Sequence, residues 1–427
     1  MRVASNPAQL PSIGMPPLRI ALILLGASLP ISLALNNLLL AILSLGLLFN
    51  ARAVWQIAAH NPVARAAWLL FGALLLAACY GATPWRAAFG YLSKYDGLAF
   101  VPLFMLLLSR ETTRRWAQYA FLAAMGLTLL LSYLVGLELL PAQHWMDQNS
   151  TPDNPVIFLS HIAQNDMMAV ATFLALLQLR QAVSIRMRAM WGVYAGLALV
   201  NVLFLVPGRT GYLIMLVLLG WFIWTTLVRY LSQRGMACDW RHGAGVLLVL
   251  CGLVVAAYFA SPRLNERVSM VAAELQAWQP NHGESSSTGQ RLDFYYNTLQ
   301  IVQQQPWFGV GTGGFETAFA KQILGTQVVK NSNPHNEYLM ITLQSGVIGL
   351  ALMLYLFYSA WRYAPQLDTP FAQDAARGLV LAYLVNCMFN CALRDHADGL
   401  LFAYMTAVLF ANLKPALSSV EGAAKRG

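Results

Sequence analysis

Apolar runs long enough to cross a hydrocarbon core of about 30 Å, which takes ~20 residues of helix, recur from Leu18 to Leu413. They predict helices at 18–34, 36–51, 66–82, 92–109, 116–136, 163–180, 188–206, 211–230, 243–261, 338–360, 377–393 and 397–413. The fourth run opens on Lys94 and Asp96, a polar start for a span. One long polar stretch interrupts the series. The organisation expected is therefore spans one to nine in 1–262, an extramembrane loop domain in 263–334, and spans ten to twelve with a tail in 335–427. The fold class is all-α and integral to the membrane. The first run continues past any plausible cleavage site and reads as a retained helix rather than a removed signal.

The loop domain has its own pattern. Ser285-Ser286-Ser287-Thr288-Gly289 reads as a flexible stretch or a cap. From Gln290 to Gln304, Leu292, Tyr295, Tyr296, Leu299 and Val302 recur at helical spacing, and Pro306 stops the helix. Gly309-Val310-Gly311-Thr312-Gly313-Gly314 follows as a tight turn able to expose backbone N–H groups. It matches GxGxxG but follows no strand of a βαβ unit, so a dinucleotide site is rejected.

Composition agrees with membrane residence: 58% of the 427 residues are hydrophobic and 11% charged, against about 25% charged in soluble domains. The net charge of +9 implies no nucleic-acid partner, because the basic residues lie in short loops. With twelve spans and a cytoplasmic N-terminus, 18 of the 27 Lys and Arg fall on the cytoplasmic side, Arg2, Lys414, Lys425 and Arg426 among them. The 263–334 segment, the 137–162 loop, and the turns at Arg86, Arg209 and Arg394 then face the periplasm. Of the five cysteines, Cys79, Cys251, Cys387 and Cys391 lie in apolar runs and Cys238 in a basic loop. None falls in the loop domain, so a disulfide framework is not expected.

Cations dominate the external polar groups. Arg209, in Pro207-Gly208-Arg209-Thr210-Gly211-Tyr212, interrupts two apolar runs at the external face, where a guanidinium can grip phosphate; an interfacial anchor is the plainer alternative. Arg291 falls in the first turn of the loop helix. A cation opposing the helix dipole makes sense if both face an anion. His335, in Asn333-Pro334-His335-Asn336-Glu337-Tyr338, can act as a general base or as a backbone cap. Glu337 or Asp395 could orient its ring. Arg394, Asp395, His396 and Asp398 crowd the last turn, as a structural ion cluster or a site wall. Arg86, Lys94 and Asp96 read similarly, and His161 and Asp166 flank the start of the sixth span. No DxD, HExxH or CxxC is present. Arginines can neutralise a diphosphate unaided, so neither a metal nor another cofactor is expected.

In order and position, Gly208-Arg209-Thr210-Gly211, Gly289-Gln290-Arg291, Pro306-Trp307-Phe308-Gly309-Val310-Gly311 and Pro334-His335-Asn336-Glu337-Tyr338-Leu339 resemble the O-antigen ligases. Their superfamily also holds O-antigen polymerases and pilin O-oligosaccharyltransferases. The resemblance implies about twelve transmembrane helices and a periplasmic loop domain between the ninth and tenth. It also implies a glycosyltransferase of the bacterial inner membrane, its site facing the periplasm. O-antigen would pass from undecaprenyl diphosphate to a sugar hydroxyl of lipid A-core, in lipopolysaccharide biosynthesis. Residue by residue it assigns the diphosphate to Arg209 and Arg291 and the base to His335. Asp395 is the looser match for the family's acidic residue, with Asp398 as competitor. Arg394, Arg86, Lys94, His161 and Glu337 stand as possible supporting groups. Polymerase and protein O-oligosaccharyltransferase differ in acceptor, which these motifs do not discriminate. A polysaccharide transporter would instead show inverted repeats and charges at mid-membrane depth.

Overall fold

The computed structural model describes residues 16–413 apart from Cys238 and Ser261. Arg2, Cys238, Lys414, Lys425 and Arg426 therefore lie outside the described residues. The described chain is all-helical, with no strand and one isolated bridge between Thr151 and Asn154. Its helices are α1 (Pro16–Ser28), α2 (Leu33–Phe49), α3 (Ala51–His60), α4 (Pro62–Tyr80), α5 (Trp85–Leu92) and α6 (Asp96–Leu107). Next come α7 (Glu111–Gly136), α8 (His161–Gln181), α9 (Ile185–Val200), α10 (Arg209–Gln233), α11 (Trp240–Ala260) and α12 (Pro262–Ala277). The last are α13 (Ser287–Gln304), α14 (Phe315–Gln322), α15 (Glu337–Tyr363), α16 (Pro370–Phe389) and α17 (His396–Phe410).

Each predicted span overlaps a helix. Among the described residues, six are long and apolar enough to cross a membrane: α4, α7, α8, α9 with its π-helical end, α10 and α15. The pair α2–α3, bent by 89°, makes a seventh if it counts as one crossing, and α1 and α17 are shorter apolar helices. Large apolar side chains such as Leu48, Leu76, Val193, Leu248 and Phe259 stand exposed on these helices, as lipid contact requires. The chain is a multi-pass membrane protein.

Helix α17 explains the packing. It is apolar all round, and every residue from Ala397 to Phe410 is buried, as expected of a helix with no polar face. It packs on α6, α16, α7 and α8, while α4 pairs with α15 and α1 with α7. Outside this bundle a second core joins Phe294, Ile301, Phe315, Phe319, Ile323 and Val328 of the loop segment to Met340, Leu343 and Cys391.

Several details depart from the apolar pattern. The 36–51 run turns sharply at Asn50 into the amphipathic α3. The 92–109 run starts with a 3₁₀ turn at Ser93–Tyr95, leaving α6 with 12 residues. The loop helix begins at Ser287, because the Ser286 side chain caps it by accepting from Gly289 N, and it ends before Pro306 as expected. Its buried face is Asp293, Phe294, Asn297, Thr298 and Ile301. The expected stripe is thus rotated: Leu299 is 46% exposed and Tyr295 only half-buried.

The largest departure is at 338–360. Helix α15 breaks at Ser345 and Gly346, where Gly346 adopts φ 66, ψ −167. The glycine-rich turn docks into this break. Val310 N donates to Leu343 O (2.8 Å), Gly311 N to Gln344 O (3.0 Å), and Val347 N to Pro306 O (2.8 Å). Thr312 N and Oγ1 donate to Ala77 O and Leu74 O near the end of α4 (3.1 and 2.7 Å). Gly313 N donates to Gln344 Oε1 (3.1 Å). These N–H groups of the turn, which it could have exposed, are therefore used internally.

Candidate active site

Two glycines set the start of α10. A Cβ on Gly208 would meet Asn165 Nδ2 at 2.4 Å, and one on Gly211 would meet Asn165 Cβ at 2.8 Å. With hydrogens there instead, Asn165 of α8 lies against this turn and donates to Val206 O (2.9 Å). Thr210 Oγ1 accepts from Asn390 Nδ2 (3.2 Å). The backbone around Arg209 is thereby fixed while its guanidinium stays exposed, with Nη1 donating to Thr288 Oγ1 at 3.3 Å.

Thr288 opens α13, and Arg291 follows it one turn later. Burial first, and then the nearby Arg209 cation, push the Arg291 guanidinium below its ordinary range, while Tyr295 opposes this. Among the described residues neither arginine has a carboxylate partner. Two guanidiniums in one another's field without a counter-charge suit an anion.

His335 lies within the field of Arg291, in a backbone conformation that non-glycine residues rarely adopt, φ 53. Three contacts hold it. Its N–H donates to Asn333 Oδ1 (2.9 Å), its carbonyl accepts from Tyr295 Oη (3.1 Å), and its ring lies over Phe294 at 6.1 Å, tilted 25°. Burial lowers the imidazole pKa first, followed by the charges of Arg291 and then Arg394, so the ring stays neutral to a lower pH than an ordinary histidine. Neither ring nitrogen is hydrogen-bonded among the described residues.

Glu337 and Asp395, the two expected orienters, have other duties. Glu337 is fully buried and accepts from Tyr95 Oη (3.0 Å), Leu393 N (2.8 Å) and Arg394 N (3.1 Å). It anchors the turn that carries Arg394. Asp395 caps α17 by accepting from Ala397 N and Asp398 N (3.0 and 3.2 Å). Replacing Glu337 with Ala leaves Tyr95 Oη and Leu393 N without an acceptor, since Arg394 N also donates to Cys391 O (3.1 Å), at about 1–3 kcal/mol for each orphaned group. A thermal unfolding midpoint lowered by several degrees in Glu337→Ala checks this; an unchanged midpoint would contradict it.

Arg394 is 8% exposed, and its guanidinium carbon lies 5.8 Å from the Tyr91 ring centroid. Lys94 meets the same ring at 5.2 Å, so these two cations share one ring, and Arg394 also acts on His335. Arg86 does not: it is exposed and stacks on its own neighbour Trp85 at 5.4 Å. His161 is half-buried at the start of α8, with no hydrogen bond or ion pair to the arginines among the described residues. Asp166 is buried with Asp398, Tyr383 and Asn386 around a small internal cavity. No group of three His, Cys, Asp or Glu side chains suited to one metal ion occurs among the described residues.

Sequence reasoning missed Thr288, Phe294, Asn333 and Tyr95. Tyr295 stood in the predicted stripe as a packing residue, although a tyrosine in an apolar row is a standing request for a hydrogen-bond partner.

A family model described as O-antigen ligase matches residues 194–354, the stretch that holds Arg209, Arg291 and His335. The chain is also similar to an uncharacterized protein of Haemophilus influenzae, 24% identical over 130 residues, or 29% of this chain and 33% of that protein. It thus spans about a third of the length of this curated relative.

Proposed function

Because the chain belongs to the O-antigen ligase superfamily, we propose that it transfers O-antigen from undecaprenyl diphosphate to a sugar hydroxyl of lipid A-core, at the periplasmic face of the bacterial inner membrane. One observation carries this reading: an arginine pair with no carboxylate partner among the described residues, of which Arg291 acts on a half-buried, pKa-lowered histidine held in a strained backbone.

In this reading the acceptor hydroxyl oxygen attacks C1 of the donor sugar. The bond from C1 to the diphosphate oxygen breaks, and its electron pair leaves with the diphosphate. The acceptor proton passes to the His335 imidazole. Negative charge grows on the leaving diphosphate, where Arg209 and Arg291 stabilise it more in the transition state than before. An anionic leaving group needs little acid catalysis, so one base suffices. Single displacement inverts the anomeric carbon. Arg209→Gln and Arg291→Gln are each expected to lower kcat by about 10²–10³-fold, the scale for removing one donor to developing charge. Steady-state kinetics on the purified variants check this, and a change confined to KM would assign the arginines to ground-state binding alone.

The deciding experiment combines purified protein, undecaprenyl-diphosphate-linked O-antigen and lipid A-core in EDTA. Glycosylated lipid A-core with inverted linkage is the expected product. Activity that needs added Mg²⁺ or Mn²⁺ overturns metal independence, and a retained linkage overturns single displacement. Longer lipid-linked glycan in place of glycosylated core moves the protein to the polymerase branch.

A further inference from the structure

Arg229 lies 20 residues beyond Arg209 on α10, about 30 Å at 1.5 Å per residue, a full hydrocarbon thickness from the arginine pair. There Asp374 of α16 takes two cations on one oxygen: Arg180 Nη2 of α8 and Arg229 Nη2 (2.7 Å). Arg180 is otherwise held by Thr225 and Thr226 (3.0 and 3.3 Å). One turn further along α16, Arg377 lies over the Trp361 ring of α15 at 5.1 Å. Trp361 packs on Trp221 at 5.4 Å, and Trp221 Nε1 donates to Asp374 O (3.1 Å). The group thus holds three arginines against one carboxylate. The Nε atoms of Arg229 and Arg377 are buried with no acceptor among the described residues.

A structural arginine–aspartate–arginine tie accounts for Arg180 and for one edge of Arg229. It leaves Arg377 unexplained, because the only partner described for that cation is an aromatic ring. Uncompensated cations beside lipid are costly. A phosphate oxyanion matches the guanidinium fork, and tryptophans mark the headgroup level. Basic clefts between transmembrane helices on the cytoplasmic side suit anionic headgroups.

We propose that the junction of α10, α15 and α16 binds the phosphate of an anionic phospholipid, with Arg229 and Arg377 as its ligands beside Trp361 and Trp221. Only the leaflet, cytoplasmic, rests on the function proposed above; the binding itself does not. Three arginines against one carboxylate leave two net positive charges, and at about fivefold each these give a preference of about 30-fold for phosphatidylglycerol over phosphatidylcholine.

Native mass spectrometry of the full chain, released from nanodiscs holding both lipids, reads this preference without any transfer assay. Arg377→Gln is expected to lower it about fivefold, and Arg377→Lys, which keeps the charge, to retain most of it. Equal retention of the two lipids overturns the proposal, and so does a Gln variant that matches the Lys variant. An unfolding midpoint in phosphatidylcholine alone confirms that each variant is folded. Inorganic phosphate is the third arm. If it displaces phosphatidylglycerol at equal concentration, the site takes free phosphate and the lipid assignment is overturned.

Discussion

His335→Asn is expected to lose about 10²–10⁴-fold in kcat, the usual contribution of a general base, while unfolding at the wild-type temperature. Asn is the informative replacement because it tolerates the left-handed backbone that residue 335 occupies, φ 53, at little steric cost. Alanine there would confound lost chemistry with backbone strain. The pH profile gives an independent reading. A general base works in its neutral form, so activity falls as pH drops through its pKa. Burial, Arg291 and Arg394 hold the His335 pKa down, and the acid limb of kcat/KM should therefore lie below the ordinary histidine value of about 6.5. Arg394→Gln removes one of the depressing charges and should move that limb to higher pH. A limb that stays put in Arg394→Gln, or a His335→Asn variant of near-normal rate, would remove His335 from the base role.

The second large effect is structural. Gly346→Ala would place a Cβ 2.0 Å from Trp307 O and 2.5 Å from Phe308 N, both backbone atoms of the docked turn. The conformation at 346, φ 66 and ψ −167, belongs to a region essentially restricted to glycine. Overlap and strain together should exceed about 4 kcal/mol, among the larger costs of single substitutions. The turn can escape only by leaving the break in α15, which displaces the adjoining α13 and its Arg291. Loss of folded protein on size-exclusion chromatography, with no activity in what remains, is the expected result. Gly90→Ala, where nothing lies within 4 Å of the new methyl, should behave as wild type. Normal yield and activity in Gly346→Ala would show that the turn does not depend on that docking.

The apolar runs were legible because lipid imposes one requirement on every residue of a span, and length and hydropathy report it directly. Breaks inside the runs were not. Gly346 looks like an unremarkable glycine in a helix until residues 306–313 occupy the gap, and that contact joins positions far apart in sequence. The same holds for the loop helix. Its apolar residues gave the right element but the wrong face, because Asp293 and Asn297 are buried by hydrogen bonds to Trp278 and Asn281 (3.1 and 2.9 Å) rather than by apolarity. At the site, the cations announced themselves by standing unpaired where charge is expensive. Glu337 was put forward as an orienter because a carboxylate near a histidine in sequence suggests a pair, and Asp395 because it matched the family's acidic residue. Here helix α15 turns the Glu337 side chain toward the 393–394 amides, and Asp395 is taken by the first turn of α17.

The docked turn also sets an order of assembly. Thr312 closes on carbonyls of α4, and its neighbours on carbonyls of α15, so the loop's partners lie both long before it and just after it in the chain. During synthesis, α4 has emerged well ahead of the loop, yet the loop cannot seat until the ribosome has delivered residues 343–347, several seconds of elongation at about 5–20 residues per second. Until then the arginine of α10 stands in the membrane face without its companion on α13. In the function proposed above, the site is therefore incomplete on the nascent chain until the broken helix arrives to receive the loop.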